Sequence, residues 1–156
     1  MSAELLKRCA LFRDFTPVGL ELFAKISKPR IVLRGKPLFA EGTPSETLYL
    51  LVEGRVQVLV KTAEGTISTV ASLGAGESLC EMALLSPAKP VAHMCSVVAE
   101  VDSKVLEGSS ADLQALMKDK PQACVKLLLA CAAEVGRKAG DARDLLKHMV
   151  ARSVGR

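Results

Sequence analysis

Residues 73–86 read Leu-Gly-Ala-Gly-Glu-Ser-Leu-Cys-Glu-Met-Ala-Leu-Leu-Ser, a glycine-rich segment followed by a short run of helix-forming residues. Gly74 and Gly76 permit positive φ angles and a close approach of the backbone, whereas residues 81–85 are good helix formers. We therefore expect a glycine-rich turn that leads into a short helix. Because the first amides of a helix have no internal partner and lie at the positive end of its dipole, such a turn can hold a phosphate or a carboxylate.

Short β-prone runs with a hydrophobic period of two precede this stretch. They are residues 31–33, 38–40, 48–52, 56–60 and 67–71, and Gly35, Gly42, Gly54 and Gly65 punctuate them. Many short strands joined by glycine turns are typical of a sandwich or a barrel. After the stretch, we expect residues 91–98 and 103–106 to supply the closing strands.

Apolar residues at helical spacing flank the strands on both sides. Two short helices with a break are predicted over residues 5–12 and 20–26, with Phe12, Phe15 and Phe23 as core residues rather than a ligand cage. Ser109 and Asp112 have the spacing of a capping box, which predicts a helix from this point. Pro121 suits the first position of a last helix.

Several of these features together resemble the cyclic-nucleotide-binding domain family over roughly residues 5–150. Glu-Met-Ala-Leu-Leu at 81–85 stands in register with the family's phosphate-binding cassette, Gly-Glu-Leu-Ala-Leu-Leu, and residues 38–42 and 48–56 are similar to its two glycine turns. The resemblance implies a mainly β fold with flanking helices. This is a double-stranded β-helix (jelly-roll) barrel with short N-terminal helices and a long C-terminal helix. We assign residues 1–120 to the barrel with its N-terminal helices, and 121–156 to a C-terminal helix of the same domain.

The resemblance also implies roles for cassette residues. In the family the cassette glutamate accepts the ribose 2′-hydroxyl of the ligand, and an arginine about nine residues later neutralises the cyclic phosphate. Glu81 is present here, whereas Cys80 takes the place of the preceding glycine and Pro90 that of the arginine. The candidate ligand-binding residues are therefore the turn glycine, the glutamate, the two residues whose amides could reach an anion, and the two nearest cations: Gly76, Glu81, Met82, Ala83, Lys89 and His93.

Neither nearby cation replaces the missing arginine. A lysine ammonium cannot form the bidentate contact of a guanidinium, and histidine is mostly neutral at pH 7. Such a charge-assisted contact contributes about 1.5–3 kcal/mol, so its loss argues against micromolar binding of cAMP or cGMP. The first hypothesis is therefore a stand-alone regulatory or interaction module that has lost this binding. The alternative is a sensor that binds a cyclic nucleotide or another anion through the cassette amides and Glu81, and Glu81 could also be a capping or loop residue.

The last helix carries a second pattern. Apolar residues recur at alternating steps of three and four, which predicts a coiled-coil seam and a homodimer: Val125, Leu128, Ala132, Val135, Ala139, Ala142, Leu146 and Met149. The long helix after the barrel is also the dimer contact in the transcription factors of the resembled family. The alternative is a helix that packs on its own barrel.

Composition and motifs exclude several classes of function. No catalytic constellation is recognisable, so we predict neither an enzyme nor a cofactor. The five cysteines lack metal-ligand spacing, which predicts buried thiols and no metal site. No signal peptide or membrane span is recognisable, which predicts a cytoplasmic protein without membrane contact.

The net charge of +4 lies in the last helix. Residues 1–120 carry 14 Lys/Arg and 14 Asp/Glu, whereas residues 121–156 carry seven and three. This asymmetry is compatible with a solvated helix face, an acidic protein partner or nucleic acid. Because the sequence stops at Arg156, we expect no helix-turn-helix after the long helix and no DNA-binding domain.

Overall fold

A computed structural model describes residues 2–86 and 88–154 of the chain. Its helices are α1 (Ser2–Lys7), a 3₁₀ helix (Ala10–Phe12), α2 (Pro17–Ile26), α3 (Met82–Leu85), α4 (Ser110–Asp119) and α5 (Pro121–Val154). Its strands are β1 (Ser27–Val32), β2 (Pro37–Phe39), β3 (Pro44–Ser45), β4 (Thr47–Glu53), β5 (Arg55–Lys61), β6 (Ile67–Gly74), β7 (Ser78–Leu79), β8 (Val91–Ala92), β9 (Ser96–Ala99) and β10 (Ser103–Ser109). No helix among these residues is long and apolar enough to cross a bilayer.

The strands form two four-stranded antiparallel sheets and one short pair. The first sheet has the order β1-β10-β4-β7 and the second β2-β9-β5-β6, while β3 pairs with β8. Together with the short helices before the barrel and the long α5 after it, this arrangement confirms the predicted mainly β jelly-roll fold with flanking helices.

Strand β4 contributes to two separate cores. Tyr49 and Leu51 lie in the cluster between the two sheets, with Phe39, Val97 and Val105. Their neighbours Leu48, Leu50 and Val52 lie in the cluster under the helices. Successive side chains of a strand point to opposite faces, so a strand that is covered on both faces is apolar throughout. This explains the unbroken apolar run of residues 48–52.

Helices α4 and α5 begin where the sequence predicted, whereas the first predicted helix is divided into α1 and a 3₁₀ helix, and α2 begins three residues early, at Pro17. Phe12, Phe15 and Phe23 form one aromatic cluster with ring centroids 4.9–5.6 Å apart, which confirms them as core residues. The Ser109 hydroxyl accepts from the Asp112 amide at 3.0 Å and caps α4. Helix α5 begins at Pro121, as expected.

One expected strand is divided in two. Residues 91–98 were predicted as continuous strand, but β8 ends at Ala92 and β9 begins at Ser96. At the interruption the His93 amide donates to the Thr43 carbonyl and the His93 carbonyl accepts from the Gly42 amide, both at 2.8 Å. These two bonds hold His93 against the β2–β3 turn. The chain thus passes from β8, which pairs with β3, to β9, which pairs with β2 and β5.

The core contacts of helix α5 lie in its first half. Cys124, Leu127 and Cys131 are at most 3% exposed and belong to the core under the helices. From Asp141 to His148 every residue is exposed. A helix of 34 residues is about 51 Å long, so its second half extends beyond these core contacts.

Candidate functional site

The turn before the cassette joins the N-terminal segment to β4. Gly76 has a φ of +96°. Its amide donates to the Leu51 carbonyl at 2.7 Å, and its carbonyl accepts from the Ala10 amide at 2.9 Å. A Cβ atom at this position would lie 3.1 Å from the Arg8 carbonyl oxygen. Both backbone groups of Gly76 are thus engaged in the fold, and its role as a ligand residue stays a prediction.

Cys80 occupies a backbone position that favours glycine. Its φ of +65° lies in the left-handed region, which disfavours residues with a Cβ atom. This explains why a glycine stands at this point in the resembled cassette. The Cys80 sulfur lies 3.5 Å from Nδ1 of His93, and burial raises the pKa of the thiol to about 12.

The short helix α3 carries the core of the cassette. The Ala83 amide donates to the Cys80 carbonyl at 2.9 Å, so it is already bonded within the turn. Ala83 and Leu84 are buried, whereas the Met82 side chain is 43% exposed. Of the two amides proposed for anion binding, that of Ala83 would have to give up an internal bond to reach a ligand.

Glu81 is the centre of a buried polar cluster. The residue is 5% exposed, and its Oε1 accepts from the Ser78 hydroxyl at 2.6 Å. The Lys138 ammonium of α5 donates to the same Oε1 at 2.6 Å and to the Ser78 carbonyl at 2.6 Å. Charge-assisted bonds of this length are the strong class of hydrogen bond. The carboxylate is therefore neutralised by the protein itself.

The two candidate cations lie in different surroundings. His93 is 7% exposed, and its ring stacks on Phe39 with centroids 3.9 Å apart and a 12° angle between the planes. Desolvation lowers the pKa of His93, so its imidazole is neutral at pH 7. Lys89 is exposed in the loop after α3, where its carbonyl accepts from the Ser86 hydroxyl at 3.1 Å, and Pro90 beside it is exposed too.

Two residues of the site carry no signal in the sequence. Ser78 and Lys138 complete the cluster around Glu81, and Lys138 is 57 residues away from it along the chain. A lysine on a predicted helix reads as part of a solvated face, and no local pattern indicates which carboxylate it will meet.

The cysteines divide into two groups. Cys9, Cys124 and Cys131 are buried, whereas Cys80 and Cys95 are partly exposed, so the expectation of five buried thiols was wrong for these two. Burial raises the pKa of Cys9 to about 11 and that of Cys131 to about 12. No group of metal-binding side chains is present in the described part of the chain.

The predicted seam of α5 lies beside the face that packs on the barrel. Val125 is 50% and Leu146 61% exposed, and Ala132, Ala139 and Ala142 are exposed as well. Leu128 and Val135 are half-buried, and the side chain of Met149 is outside the described residues.

The barrel contacts Cys124, Leu127 and Cys131 precede Val125, Leu128 and Ala132 by one residue, or about 100° around the helix. The seam is therefore largely solvent-exposed in the single chain.

Comparison with known proteins finds a matching family model and similar bacterial proteins. A family model for the cyclic nucleotide-binding domain matches residues 29–120. A CRP-like cAMP-activated global transcriptional regulator of Mycobacterium tuberculosis is 24% identical over 143 residues, or 92% of this chain, which spans 62% of the regulator's length. The cyclic AMP receptor protein of Thermus thermophilus is 31% identical over 95% of this chain and 67% of its own length.

Solved structures show the same fold. A cyclic nucleotide-binding domain from Methylobacillus flagellatus superposes with a TM-score of 0.82 at 22% identity, over 95% of this chain and 82% of that one. The catabolite activator protein of Thermus thermophilus has a TM-score of 0.72 at 31% identity, over 88% of this chain and 62% of that one.

Proposed function

The chain belongs to the cyclic nucleotide-binding domain family, and from this premise we propose that it is a non-catalytic regulatory or interaction module whose cassette no longer binds cAMP or cGMP in the micromolar range. Its similarity to two bacterial regulators supports the regulatory role.

The state of Glu81 carries the proposal. A ribose hydroxyl that bound Oε1 of this carboxylate would have to compete with the Ser78 hydroxyl and the Lys138 ammonium, both 2.6 Å from that atom. Pro90 stands at the position of the arginine that binds the cyclic phosphate in the family, so that contact is not available to compensate. A neutral, buried His93 and a flexible exposed Lys89 do not replace it. Binding of a nucleotide at Oε1 would therefore break the charge-assisted bond between Lys138 and Glu81 without forming a new bond to an arginine.

Calorimetric titration with cAMP and cGMP tests the proposal directly. We expect dissociation constants weaker than about 100 µM, because a lost charge-assisted contact of about 1.5–3 kcal/mol corresponds to one or two decades in affinity. A low-micromolar isotherm for either nucleotide would contradict it.

A paired substitution tests the same cause in the opposite direction. Cys80→Gly with Pro90→Arg should restore measurable binding, because it returns a residue without Cβ to a left-handed position and a guanidinium to the phosphate side. Cys80→Gly alone is the matched control and should bind no better than the wild type. If the pair also fails to bind, the cavity itself is closed.

The names of the relatives favour a second candidate function. One relative is described as cAMP-activated and another as a cyclic AMP receptor protein. In this case the chain would be a sensor that binds a cyclic nucleotide or another anionic ligand through the cassette amides of Met82 and Ala83 and through Glu81. Binding by the unmodified protein in the titration above is its signature.

The proposed module is a homodimer that associates through α5, and it is open to a protein partner. The support is the exposed apolar seam, in which Val125 and Leu146 are at least half exposed in the single chain. The small residues Ala139, Gly140 and Ala142 would let two such helices approach closely. The division at residue 120 and a cytoplasmic location stay predictions.

A further inference from the structure

We propose that the ion pair between Lys138 and Glu81 is a latch that fastens helix α5 to the cassette. This inference rests on the proposed function, since it concerns the regulation of the same glutamate. Lys138 would hold the Glu81 carboxylate in place of a ligand. Through its backbone it would also fix the point at which α5 leaves the barrel.

Lys126 of α5 also contacts the chain outside the helix, since its ammonium donates to the Asp14 carbonyl at 2.6 Å, whereas Lys138 reaches the cassette. Its ammonium bonds two groups of the cassette region, the Glu81 carboxylate and the Ser78 carbonyl, both at 2.6 Å. Among the described residues, every other ion pair that involves α5 is formed within the helix. Those pairs stiffen the helix but connect it to nothing else.

Lys138 lies where the packed part of α5 meets its exposed part. The core contacts of α5 include Cys124, Leu127 and Cys131, and the stretch from Asp141 to His148 is exposed throughout. Lys138 lies between the two parts. Releasing it would therefore remove the contact that fixes the direction of the extending half of the helix, which carries the seam residues Ala139, Ala142 and Leu146.

Burial makes the pair more than a surface contact. The Glu81 side chain is 6% exposed and that of Lys138 32%. Removal of one partner of a buried pair leaves an uncompensated charge, which costs far more than loss of an exposed pair. The cassette and α5 are thus coupled energetically: whatever displaces the lysine from Glu81 also removes a fixed point of the helix.

Hydrogen–deuterium exchange on the ligand-free protein tests the latch. In Lys138→Met, we expect amides of residues 78–86 and of α5 around residue 138 to exchange at least about tenfold faster than in the wild type, equivalent to about 1.4 kcal/mol. Amides of β5 and β9, in the other sheet, should keep their rates. Because no nucleotide is present, the result does not depend on whether the cassette binds one, so the latch and the proposed function fail separately.

Arg137→Met is the matched control. Arg137 is the neighbouring cation of α5, and its partners Glu134 and Asp141 lie on the same helix. Its removal should leave exchange in residues 78–86 unchanged. Lys138→Gln, which keeps a hydrogen-bond donor but not the charge, serves if the methionine variant unfolds, and should give a smaller acceleration of the same amides. Rates in residues 78–86 within twofold of the wild type in the folded Lys138 variants would overturn the latch.

Discussion

At the scale of single residues, His93 shows how burial changes what a side chain can do. Its ring lies between Phe39 and the cassette, 3.9 Å from the Phe39 centroid and with Nδ1 3.5 Å from the Cys80 sulfur. Desolvation lowers its pKa below the ordinary value of 6.5. The imidazole of His93 is therefore buried and neutral at pH 7, and its role as a candidate phosphate ligand stays a prediction.

This shift predicts a pH dependence of stability. Below about pH 6.5 the unfolded chain binds a proton at His93 more readily than the folded protein does. The free energy of unfolding should therefore hold its His93 contribution above pH 6.5 and lose it as the pH falls through the folded pKa. Urea unfolding between pH 7.5 and 5.5 measures the slope, which His93→Gln should reduce.

The other histidine provides the control. His148 is exposed on α5, so His148→Gln should keep the wild-type slope. An equal slope in the wild type and in His93→Gln would show that other groups cause the pH dependence.

At the scale of elements, the turn between β4 and β5 depends on one glycine. Gly54 has a φ of +94°, and a Cβ atom there would lie 2.7 Å from Cα of Ser103 and 2.8 Å from the carbonyl oxygen of Asp102. Ser103 cannot move away easily, because its hydroxyl accepts from the Arg55 amide at 3.1 Å and donates to the Val101 carbonyl at 2.7 Å. The hairpin and the start of β10 are thus held in contact.

We expect Gly54→Ala to destabilise the protein by about 3 kcal/mol or more, because left-handed strain of about 1–3 kcal/mol adds to a backbone clash. Chemical denaturation of the variant measures the loss. Gly35→Ala is the matched control: its φ is +76°, but a Cβ atom there meets nothing within 4 Å. It should lose only about 1–2 kcal/mol. Equal losses in the two variants would mean that the contact with Ser103 contributes nothing.

At the scale of the whole molecule, α5 is the element that a second copy would contact. Leu146 is the suitable seam position for a test, since it is 61% exposed and lies beyond the core contacts. Leu128 is less suitable, because it packs against the core of its own chain and a charge there would also destabilise the barrel.

We expect the wild type to sediment as a dimer at about 50 µM, and Leu146→Glu to sediment as a monomer with an unchanged circular dichroism spectrum. Two carboxylates forced into a desolvated contact cost several kcal/mol, which would weaken an interface of about −6 kcal/mol to a dissociation constant far above about 50 µM. Gln122→Glu adds the same charge at an exposed position near the start of α5 and should remain dimeric. A monomeric wild type at this concentration would contradict the dimer.

The sequence contains enough information to predict the architecture of the chain. Runs of period two, glycine turns and the Glu-Met-Ala-Leu-Leu core predicted a jelly-roll barrel, because alternation along a strand states which faces are buried. The sequence also located the start of the last helix at Pro121, since proline at the first helical position is a signal read at a single residue.

Only the tertiary structure decided how the polar groups of the site are paired. Lys138 meets Glu81 across 57 residues and His93 stacks on Phe39 across 54, and neither contact leaves a periodic or local trace. A hydrophobic pattern specifies a face, whereas a charge on that face can be satisfied by water or by any carboxylate that the fold brings within reach. Which carboxylate that is depends on how α5 lies on the barrel.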